Sequence, residues 1–179
     1  SDEAVRRLRE VAARPELPPD RYLLGQPVGR GGMGVVYAAT DVRLGRRVAI
    51  KVSTAAKASD NVDARLRREA LVLAALEHPG IVPLHDAGVL PDGRWYYVMK
   101  LVDGDTLAAA ALDRSTETRA LAVFERIADT VAFAHARGVV HRDLKPANVM
   151  IGRFGEVLVL DWGVARILAQ AGELVPAAP

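Results

Sequence analysis

Short apolar blocks separated by turn residues dominate the first hundred positions of the chain. Residues 21–40 carry such blocks on both sides of a glycine cluster, which predicts two strands joined by a flexible hairpin. A Pro-Asp-Gly turn at 91–93 separates two later runs. Three further strands are predicted from apolar runs at residues 46–53, 81–90 and 94–102. Together these runs predict a mostly antiparallel sheet.

Helical periodicity marks two longer segments. Residues 63–76 place Leu66, Ala70 and Leu73 on one face, and residues 116–137 repeat apolar side chains every three to four positions. Shorter elements are predicted around them: helices at 2–13 and 106–112, and strands at 147–152 and 156–161 on either side of a glycine turn. The pattern as a whole predicts an α+β fold.

Composition narrows the class of protein. The 179 residues are 50% apolar and 26% charged, which is ordinary for a globular domain, and the net charge is +2. The absence of cysteine excludes a disulfide scaffold and a thiolate metal site. Basic residues form no stripe with interleaved aromatics, so we expect no nucleic-acid partner. The apolar runs are too short to span a bilayer, so we expect a cytoplasmic protein with no membrane segment in this chain.

A glycine cluster is the first candidate for chemistry. Four of its positions fit the pattern G-x-G-x-x-G-x-V, namely Gly29, Gly31, Gly34 and Val36. Glycines let the backbone approach phosphate oxygens closely, but glycine-rich hairpins are common without that role. The cluster is not a P-loop, because no Gly-Lys-Ser/Thr follows, and a strand rather than a helix is predicted after it, which excludes a dinucleotide fingerprint.

A lysine interrupts the apolar strand 46–53 at position 51. Such a side chain either reaches solvent with its ammonium group or pairs with an anion. A solvated lysine at a sheet edge would be the ordinary explanation. However, Glu69 lies in the predicted helix 63–76, and a helix packed on the sheet would bring its carboxylate to Lys51 and fix the ammonium for phosphate oxygens.

Two polar motifs follow in the second half of the chain. The sequence HRDLKPANVM combines a candidate proton acceptor, Asp143, with a cation, Lys145, and a metal-capable amide, Asn148. Phosphoryl transfer needs these roles, because a hydroxyl must be oriented, the migrating group neutralised and Mg²⁺ held. In the sequence DWG, Asp161 ends an apolar strand, and its carboxylate can bind a hard divalent metal.

In this order the four motifs resemble the signature set of eukaryotic-like (Hanks-type) protein kinases, and GMGVVYAATD and HPGIVPLHDAG are similar to the bacterial members. Two of the four lysines and one of the two asparagines fall on signature positions. The resemblance implies a Ser/Thr protein kinase that uses ATP and Mg²⁺ to phosphorylate a hydroxyl of a protein substrate. It also implies an N-lobe of five antiparallel strands and one helix, followed by the start of a helical C-lobe.

The resemblance implies a role for each matching residue. Six act on phosphates and metal: the catalytic base Asp143, Lys145 at the γ-phosphate, the Mg²⁺ ligands Asn148 and Asp161, and Lys51, paired with Glu69, at the α- and β-phosphates. Others surround the adenine: the gatekeeper Met99, the hinge backbone of Lys100 and Val102, and the sandwiching side chains Val36, Ala49 and Met150. A stacked hydrophobic column is implied at Leu73, Leu84, His141 and Trp162.

By the same resemblance, residues 1–20 form a helical leader, 21–102 the N-lobe and hinge, and 103–179 a partial C-lobe. Two residues depart from the family, since Trp162 replaces the usual phenylalanine and Lys100 a common hinge glutamate. The indole N–H of Trp162 needs a partner if it is buried.

The short stretch after Asp161 contains no Ser, Thr or Tyr and no Ala-Pro-Glu motif, so we expect the chain to be a truncated kinase domain with weak or no activity alone. A nucleotide-binding or partner-binding module without kinase activity is the alternative, and a small-molecule kinase of related fold is a second one. Homodimerisation or exchange of the 164–179 tail is expected through apolar side chains of the long second helix: Leu121, Phe124, Ile127, Val131 and Phe133.

Overall fold

A five-stranded antiparallel sheet forms the first half of the molecule, as predicted. The computed structural model describes residues 14–18, 20–54, 60–110 and 117–168. The strands are β1 Tyr22–Gly31, β2 Gly34–Asp41, β3 Arg46–Ser53, β4 Leu84–Val89 and β5 Trp95–Lys100. They lie in the order β1-β2-β3-β5-β4, and every neighbouring pair is antiparallel. The strand that carries Lys51 is therefore central and not an edge.

Helix α1, Asp60–Ala75, packs against one face of the sheet and contacts β3, β4 and β5. It begins three residues before the predicted start at 63. The predicted apolar stripe is its buried face, because Leu66, Ala70 and Leu73 are all buried. The helix therefore presents the face that carries these three residues to the sheet.

Alternate side chains of β3 enter a core on the face of the sheet that is turned away from α1. Val48, Ile50 and Val52 pack there with Tyr22 of β1. Leu17, which precedes the first strand, is buried in the same cluster. The segment before β1 therefore covers part of the outer face of the sheet.

A second core lies between the sheet and α1 and joins the two halves of the chain. It combines the buried face of α1 and Tyr97 of β5 with Ala134, Val159 and Trp162 from the second half. Close-packed cores of this kind allow little independent movement of the elements that share them. The position of α1 is therefore linked to the segment around Trp162.

The second half contains one long helix and several short strands. Helix α2 spans Glu117–Ala136. The short elements are β6 Gly104–Thr106, β7 Val139–Val140, a 3₁₀ turn Pro146–Asn148, β8 Val149–Gly152, β9 Val157–Val159 and β10 Arg166–Ile167. Strands β6, β8 and β9 form one sheet and β7 pairs with β10. The strand predicted from residue 147 begins at Val149, because the 3₁₀ turn precedes it.

The predicted helix at 106–112 is wrong over the part that the structure describes. Thr106 ends β6, and the chain then makes a single turn in which the Ala110 N–H donates to the Thr106 carbonyl at 2.8 Å. The N–H of Leu107 donates instead to Val149 O at 2.7 Å, and that of Ala108 to Pro146 O at 3.2 Å. These bonds hold the turn against the 3₁₀ segment and β8. The predicted helix 2–13 and the tail from 169 lie outside the described residues.

A hydrogen bond between β1 and β4, the two edge strands, gives a stability prediction. The nearly buried hydroxyl of Tyr22 donates to Asp86 Oδ2 at 2.7 Å. Because this bond reaches an ionised acceptor, Tyr22→Phe is expected to lower the free energy of unfolding by about 1–2 kcal/mol in urea melts. Burial and Asp86 raise the pKa of Tyr22 to about 12.

The raised pKa sets the sign of the pH dependence. The phenol contributes its full stability below its ordinary pKa of about 10. That contribution is lost as the pH rises through about 12, so the difference between wild type and Tyr22→Phe shrinks across this range. The control is Tyr37→Phe, because no described residue is hydrogen-bonded to the Tyr37 hydroxyl. An equal loss in both variants at neutral pH would contradict the prediction.

Candidate active site

A buried ion pair connects the sheet to helix α1. The ammonium nitrogen of Lys51 on β3 lies 2.9 Å from Oε1 and 2.8 Å from Oε2 of Glu69 on α1. Lys51 is 8% exposed and Glu69 is 1% exposed. The structure thus brings together the two residues that the sequence paired, and Lys51 is not a solvated edge residue.

Lys51 is shared with a second carboxylate. Its Nζ lies 3.4 Å from Oδ1 of Asp161, the acidic residue that follows β9. Burial raises the pKa of Glu69, while the Lys51 ammonium acts in the opposite direction. Two carboxylates from different halves of the chain therefore meet at one cation, and Asp161 is the more solvent-accessible of them.

The register of β2, β3 and β5 aligns several predicted adenine contacts. Ala49 on β3 is the cross-strand partner of Met99 on β5, and Val36 on β2 is the partner of Lys51. Because side chains alternate along a strand, Ala49 and Lys51 share one face. Met150 lies on β8, opposite Leu158 of β9. Val36, Ala49 and Met99 thus form a strip beside the ion pair.

The two predicted hinge residues lie at the end of β5 and just after it. The N–H of Lys100 donates to Pro83 O at 3.1 Å, and its Nζ lies 3.5 Å from Oε1 of Glu156. The lysine that replaces the family's glutamate therefore pairs with an acid of the second half. The N–H of Val102 donates to no acceptor within the described ranges. This donor remains available to a ligand.

The glycine cluster closes the hairpin between β1 and β2, with Gly31 opposite Gly34. A Cβ at Gly34 would lie 2.5 Å from the Val52 carbonyl oxygen, whereas a Cβ at Gly31 would meet nothing within 4 Å. Met33 occupies the tip of the hairpin, and its Cε lies where a Cβ of Gly163 would be. The sequence does not predict this contact, which brings the hairpin tip close to the DWG segment.

The different surroundings of Gly34 and Gly31 give a second prediction. In the ligand-free protein, Gly34→Ala is expected to lower the free energy of unfolding by about 1–3 kcal/mol, because the new methyl group overlaps a backbone oxygen of β3. Gly31→Ala is the matched control and should leave that free energy nearly unchanged. Thermal melts of both variants measure the difference. Equal destabilisation would show that the crowding at Gly34 has no energetic effect.

His141 anchors the loop that carries the polar motif. Its ring is buried, and its Nδ1 accepts a hydrogen bond from the Asp143 N–H at 3.2 Å. The proton therefore sits on Nε2, which donates to Leu160 O at 2.9 Å. The ring also packs at 4.6 Å from that of Trp162, whose indole N–H donates to Val159 O at 3.2 Å. The buried indole thus has the partner that it needs.

The predicted hydrophobic column lies partly in one core. Leu73 and Trp162 are buried in the cluster beneath the sheet, and Leu84 packs against that cluster. His141 contacts Trp162 directly. These four side chains link α1 and β4 to the loop that carries the polar motif.

Asp143 accepts hydrogen bonds from both other members of its motif. Lys145 Nζ lies 2.7 Å and Asn148 Nδ2 lies 3.1 Å from Oδ2 of Asp143. The hydrogen bond from Lys145, with a smaller one from Asn148, holds the pKa of Asp143 below its usual range. The carboxylate is thus ionised at neutral pH, and its Oδ1 accepts no hydrogen bond from the described residues. Such a group can accept a proton.

Two non-glycine residues of this region have left-handed backbones, Arg142 with φ 67° and Asp161 with φ 59°. Residues in this strained region are concentrated at functional sites. Arg142 Nε donates to Val164 O at 2.7 Å, which ties the loop to the segment after Asp161. The N–H of Leu160 donates to Asn148 O at 2.8 Å. The backbone therefore holds the acid of DWG beside the loop that carries the polar motif.

Asn148 and Asp161 suit a hard cation. Asn148 Nδ2 bonds both the carbonyl oxygen and Oδ2 of Asp143, so its Oδ1 is the atom left to bind a metal. Only Oδ1 of Asp161 contacts Lys51, which leaves Oδ2. No group of three His, Cys, Asp or Glu side chains is gathered in the part of the chain that the structure describes. Mg²⁺ commonly binds through one or two protein oxygens plus phosphates, and these residues fit that arrangement.

Comparison with known proteins identifies the family of this chain. A model of the protein kinase domain matches residues 22–177. A probable serine/threonine-protein kinase of Streptomyces coelicolor is 43% identical over 162 residues, which cover 85% of this chain and 24% of that protein. PknB of Mycobacterium tuberculosis is 43% identical over 166 residues, covering 87% and 26%. PknD of Chlamydia muridarum is 42% identical over 170 residues, covering 86% and 18%. PknB and PknD are both named serine/threonine-protein kinases.

The chain belongs to the protein kinase domain family, and the resemblance to its bacterial members is confirmed. It spans about a quarter of the length of the first two relatives. None of the helices in the described ranges is long and apolar enough to cross a membrane.

Proposed function

We propose that this chain is the ATP-binding and catalytic region of a Ser/Thr protein kinase. The observation that carries the proposal is that two sets of polar residues meet: the Lys51–Glu69 pair of the first half of the chain, and the residues around Asp161 of the second half. Lys51 bonds Glu69 and Asp161, and Asp161 follows the residue whose N–H bonds Asn148 of the catalytic loop. A cation for phosphates, an ionised base and two metal-capable oxygens are the set that phosphoryl transfer requires.

The residues of the catalytic loop act on the acceptor hydroxyl and the migrating group. Asp143 accepts the hydroxyl proton as the hydroxyl oxygen bonds the γ-phosphorus. The bond from that phosphorus to the β–γ bridging oxygen breaks, and ADP leaves. Lys145, hydrogen-bonded to Asp143, neutralises charge on the γ-phosphoryl oxygens. The products are a phosphorylated protein, ADP and the proton held by Asp143.

ATP is held by the first half of the chain. Lys51 bonds the α- and β-phosphates under the backbone of the glycine hairpin, and the strip formed by Val36, Ala49 and Met99 packs against the purine, with Met150 on its other side. The Val102 N–H and the Lys100 backbone bond the adenine edge. Mg²⁺, when held by Asn148 and Asp161, would neutralise phosphate charge.

Serine and threonine are the proposed acceptors, supported by the HRDLKPAN wording and by the names of the relatives. We assign 1–20 to a leader, 21–102 to the N-lobe and hinge and 103–179 to part of the C-lobe.

The reaction consumes ATP, so we place it in the cytoplasm. The alternative of a module without kinase activity is not favoured, because the residues of the reaction are all retained.

Two measurements test the function. Calorimetry with Mg-ATP should give a dissociation constant between about 1 μM and 1 mM. The natural full-length protein should transfer label from γ-labelled ATP to serine or threonine of a basic acceptor protein. No heat of binding in calorimetry at millimolar Mg-ATP would exclude the proposal. Binding of Mg-ATP without transfer of label would favour the alternative of a nucleotide-binding module without kinase activity.

We also propose self-association through helix α2. Leu121 and Phe124 are adjacent on its surface and 58% and 66% exposed, as expected of a docking patch. Ile127 and Phe133, which the sequence assigned to the same surface, instead pack against the core. The exchanged tail would consist largely of residues outside the described ranges.

Light scattering across a concentration series measures this association. Phe124→Glu is expected to weaken a dimer at least about tenfold, because it places a charge in an apolar contact. Glu125→Ala, at the next position of α2, serves as the control. A monomer at all concentrations in the wild type would rule out the patch as a dimer contact.

A further inference from the structure

A tyrosine that no signature motif contains lies beside the buried ion pair. Tyr97 on β5 is the cross-strand partner of Lys51 on β3, and only 1% of it is exposed. The Lys51 ammonium lies 5.9 Å from the centroid of the Tyr97 ring, within the range of a cation–π contact. Strand alternation turns the neighbouring Tyr96 to the opposite face, into the other core.

The hydroxyl of Tyr97 has a specific neighbour. It interacts with the Glu69 carboxylate on α1, and burial together with that carboxylate raises the pKa of Tyr97 well above its ordinary value. The phenol therefore stays protonated and acts as a donor. Burial raises the pKa of Glu69; the Lys51 ammonium chiefly, and the Tyr97 hydroxyl to a smaller extent, act against this rise and favour the ionised carboxylate.

We propose that Tyr97 is a positioning residue for Lys51: its hydroxyl holds the Glu69 carboxylate and its ring flanks the ammonium, so that Lys51 faces the phosphates of ATP in one orientation. The inference rests on the proposed function, because it requires ATP to bind at Lys51.

The charges around Lys51 show why a further group is needed to hold Glu69 in place. Asp161 lies 3.4 Å from the same ammonium and competes with Glu69 for it. If Glu69 turned away, Lys51 would follow Asp161 and leave its place between sheet and helix. A donor fixed in the core can hold Glu69 without adding charge. Tyr97 meets this condition, since it is packed in the core that contains α1.

A purely structural role would make only the ring important. Phenylalanine keeps the ring and its contact with Lys51, and it removes the hydroxyl alone. Tyr97→Phe therefore separates positioning from packing. Tyr96→Phe is the matched control, because it removes a hydroxyl from the adjacent residue on the other face of β5.

The experiment compares two ligands in the natural full-length protein. Calorimetry with Mg-ATP and with adenosine distinguishes the phosphate site from the adenine pocket. Tyr97→Phe is expected to weaken Mg-ATP binding about five- to tenfold, as for loss of one hydrogen bond to a charged group. Adenosine binding should change less than about twofold, because Lys51 does not touch it. Tyr96→Phe should alter neither.

A double-variant cycle completes the test. In a Lys51→Ala background, Tyr97→Phe should have almost no further effect on Mg-ATP affinity, because the group that it positions is gone. Unchanged Mg-ATP binding in Tyr97→Phe would overturn the inference and leave the function standing. So would an equal loss of Mg-ATP and adenosine binding, which would indicate general damage. If Lys51→Ala itself leaves Mg-ATP affinity unchanged, the proposed function fails and the inference falls with it.

Discussion

Asp143→Asn is expected to reduce phosphoryl transfer about 10²- to 10⁴-fold, the usual contribution of a positioned general base. The amide has the same shape as the carboxylate, and its oxygen can still accept from Lys145 and Asn148. The loop should therefore keep its geometry and lose only a proton acceptor. Steady-state transfer of label from γ-labelled ATP, by the natural full-length protein, measures the loss.

Mg-ATP binding separates this outcome from unfolding. In the proposed reaction Asp143 contacts the acceptor hydroxyl and not ATP, so the variant should bind Mg-ATP within a few-fold of wild type. Asp92→Asn is the control, because Asp92 pairs with Arg94 in the turn between β4 and β5, on the first half of the chain. Undiminished transfer by Asp143→Asn would remove Asp143 from the reaction and require another base.

The elements that were predicted well have patterns that reflect burial directly. Leu66, Ala70 and Leu73 recur at helical spacing because one face of α1 packs on the sheet. The glycine cluster between two apolar blocks predicted a hairpin, and β1 and β2 do pair around it, with Gly31 opposite Gly34. In both cases the residues that determine the element are close together in the sequence.

The helix expected at 106–112 failed because distant partners decide its backbone. Leu107 and Ala108 donate to Val149 and Pro146, about 40 residues away in the chain, and these bonds hold the segment as a single turn. Helical spacing in a run of alanines carries no information about such bonds. The boundary between β6 and the turn that follows could therefore not be read locally.

In the candidate site, too, some residues could be predicted from the sequence and others could not. Lys51 and Glu69 were paired because a lysine in an otherwise apolar strand either reaches solvent or needs an anion, and a helix packed on the sheet could supply the Glu69 carboxylate. The structure decides between the two, because β3 is a central strand. Tyr97 was missed because a tyrosine in the run WYYVMK fits a buried strand equally well with or without a role for its hydroxyl. Met33 was missed because its contact with Gly163 depends on how the two halves fold together. Neither residue has a pattern that separates function from packing.

Lys51→Met is expected to have the largest effect on stability. It leaves Glu69, which is 1% exposed, without its cation, and loss of one partner of a buried pair costs about 3–5 kcal/mol. Mg-ATP binding should also fall, because the phosphates lose their ammonium partner. Urea unfolding between about pH 4 and pH 9 measures the effect on stability.

The sign of the pH dependence follows from Glu69. Burial raises its pKa in the wild type, and Lys51 acts against that rise, so the pKa rises further in Lys51→Met. A carboxyl with a raised pKa in the folded state imposes no penalty below its ordinary pKa of about 4.3; the destabilisation grows as the pH rises from there to the folded pKa and is constant above it. The variant should thus be closest to wild type in acid and least stable in alkali. Adding Glu69→Gln to Lys51→Met should restore much of the lost free energy of unfolding and make it nearly independent of pH. The control is Lys100→Met, which breaks an exposed pair with Glu156 and should cost less than about 1 kcal/mol at any pH. A pH-independent loss in Lys51→Met would mean that Glu69 does not carry the charge that the pair requires.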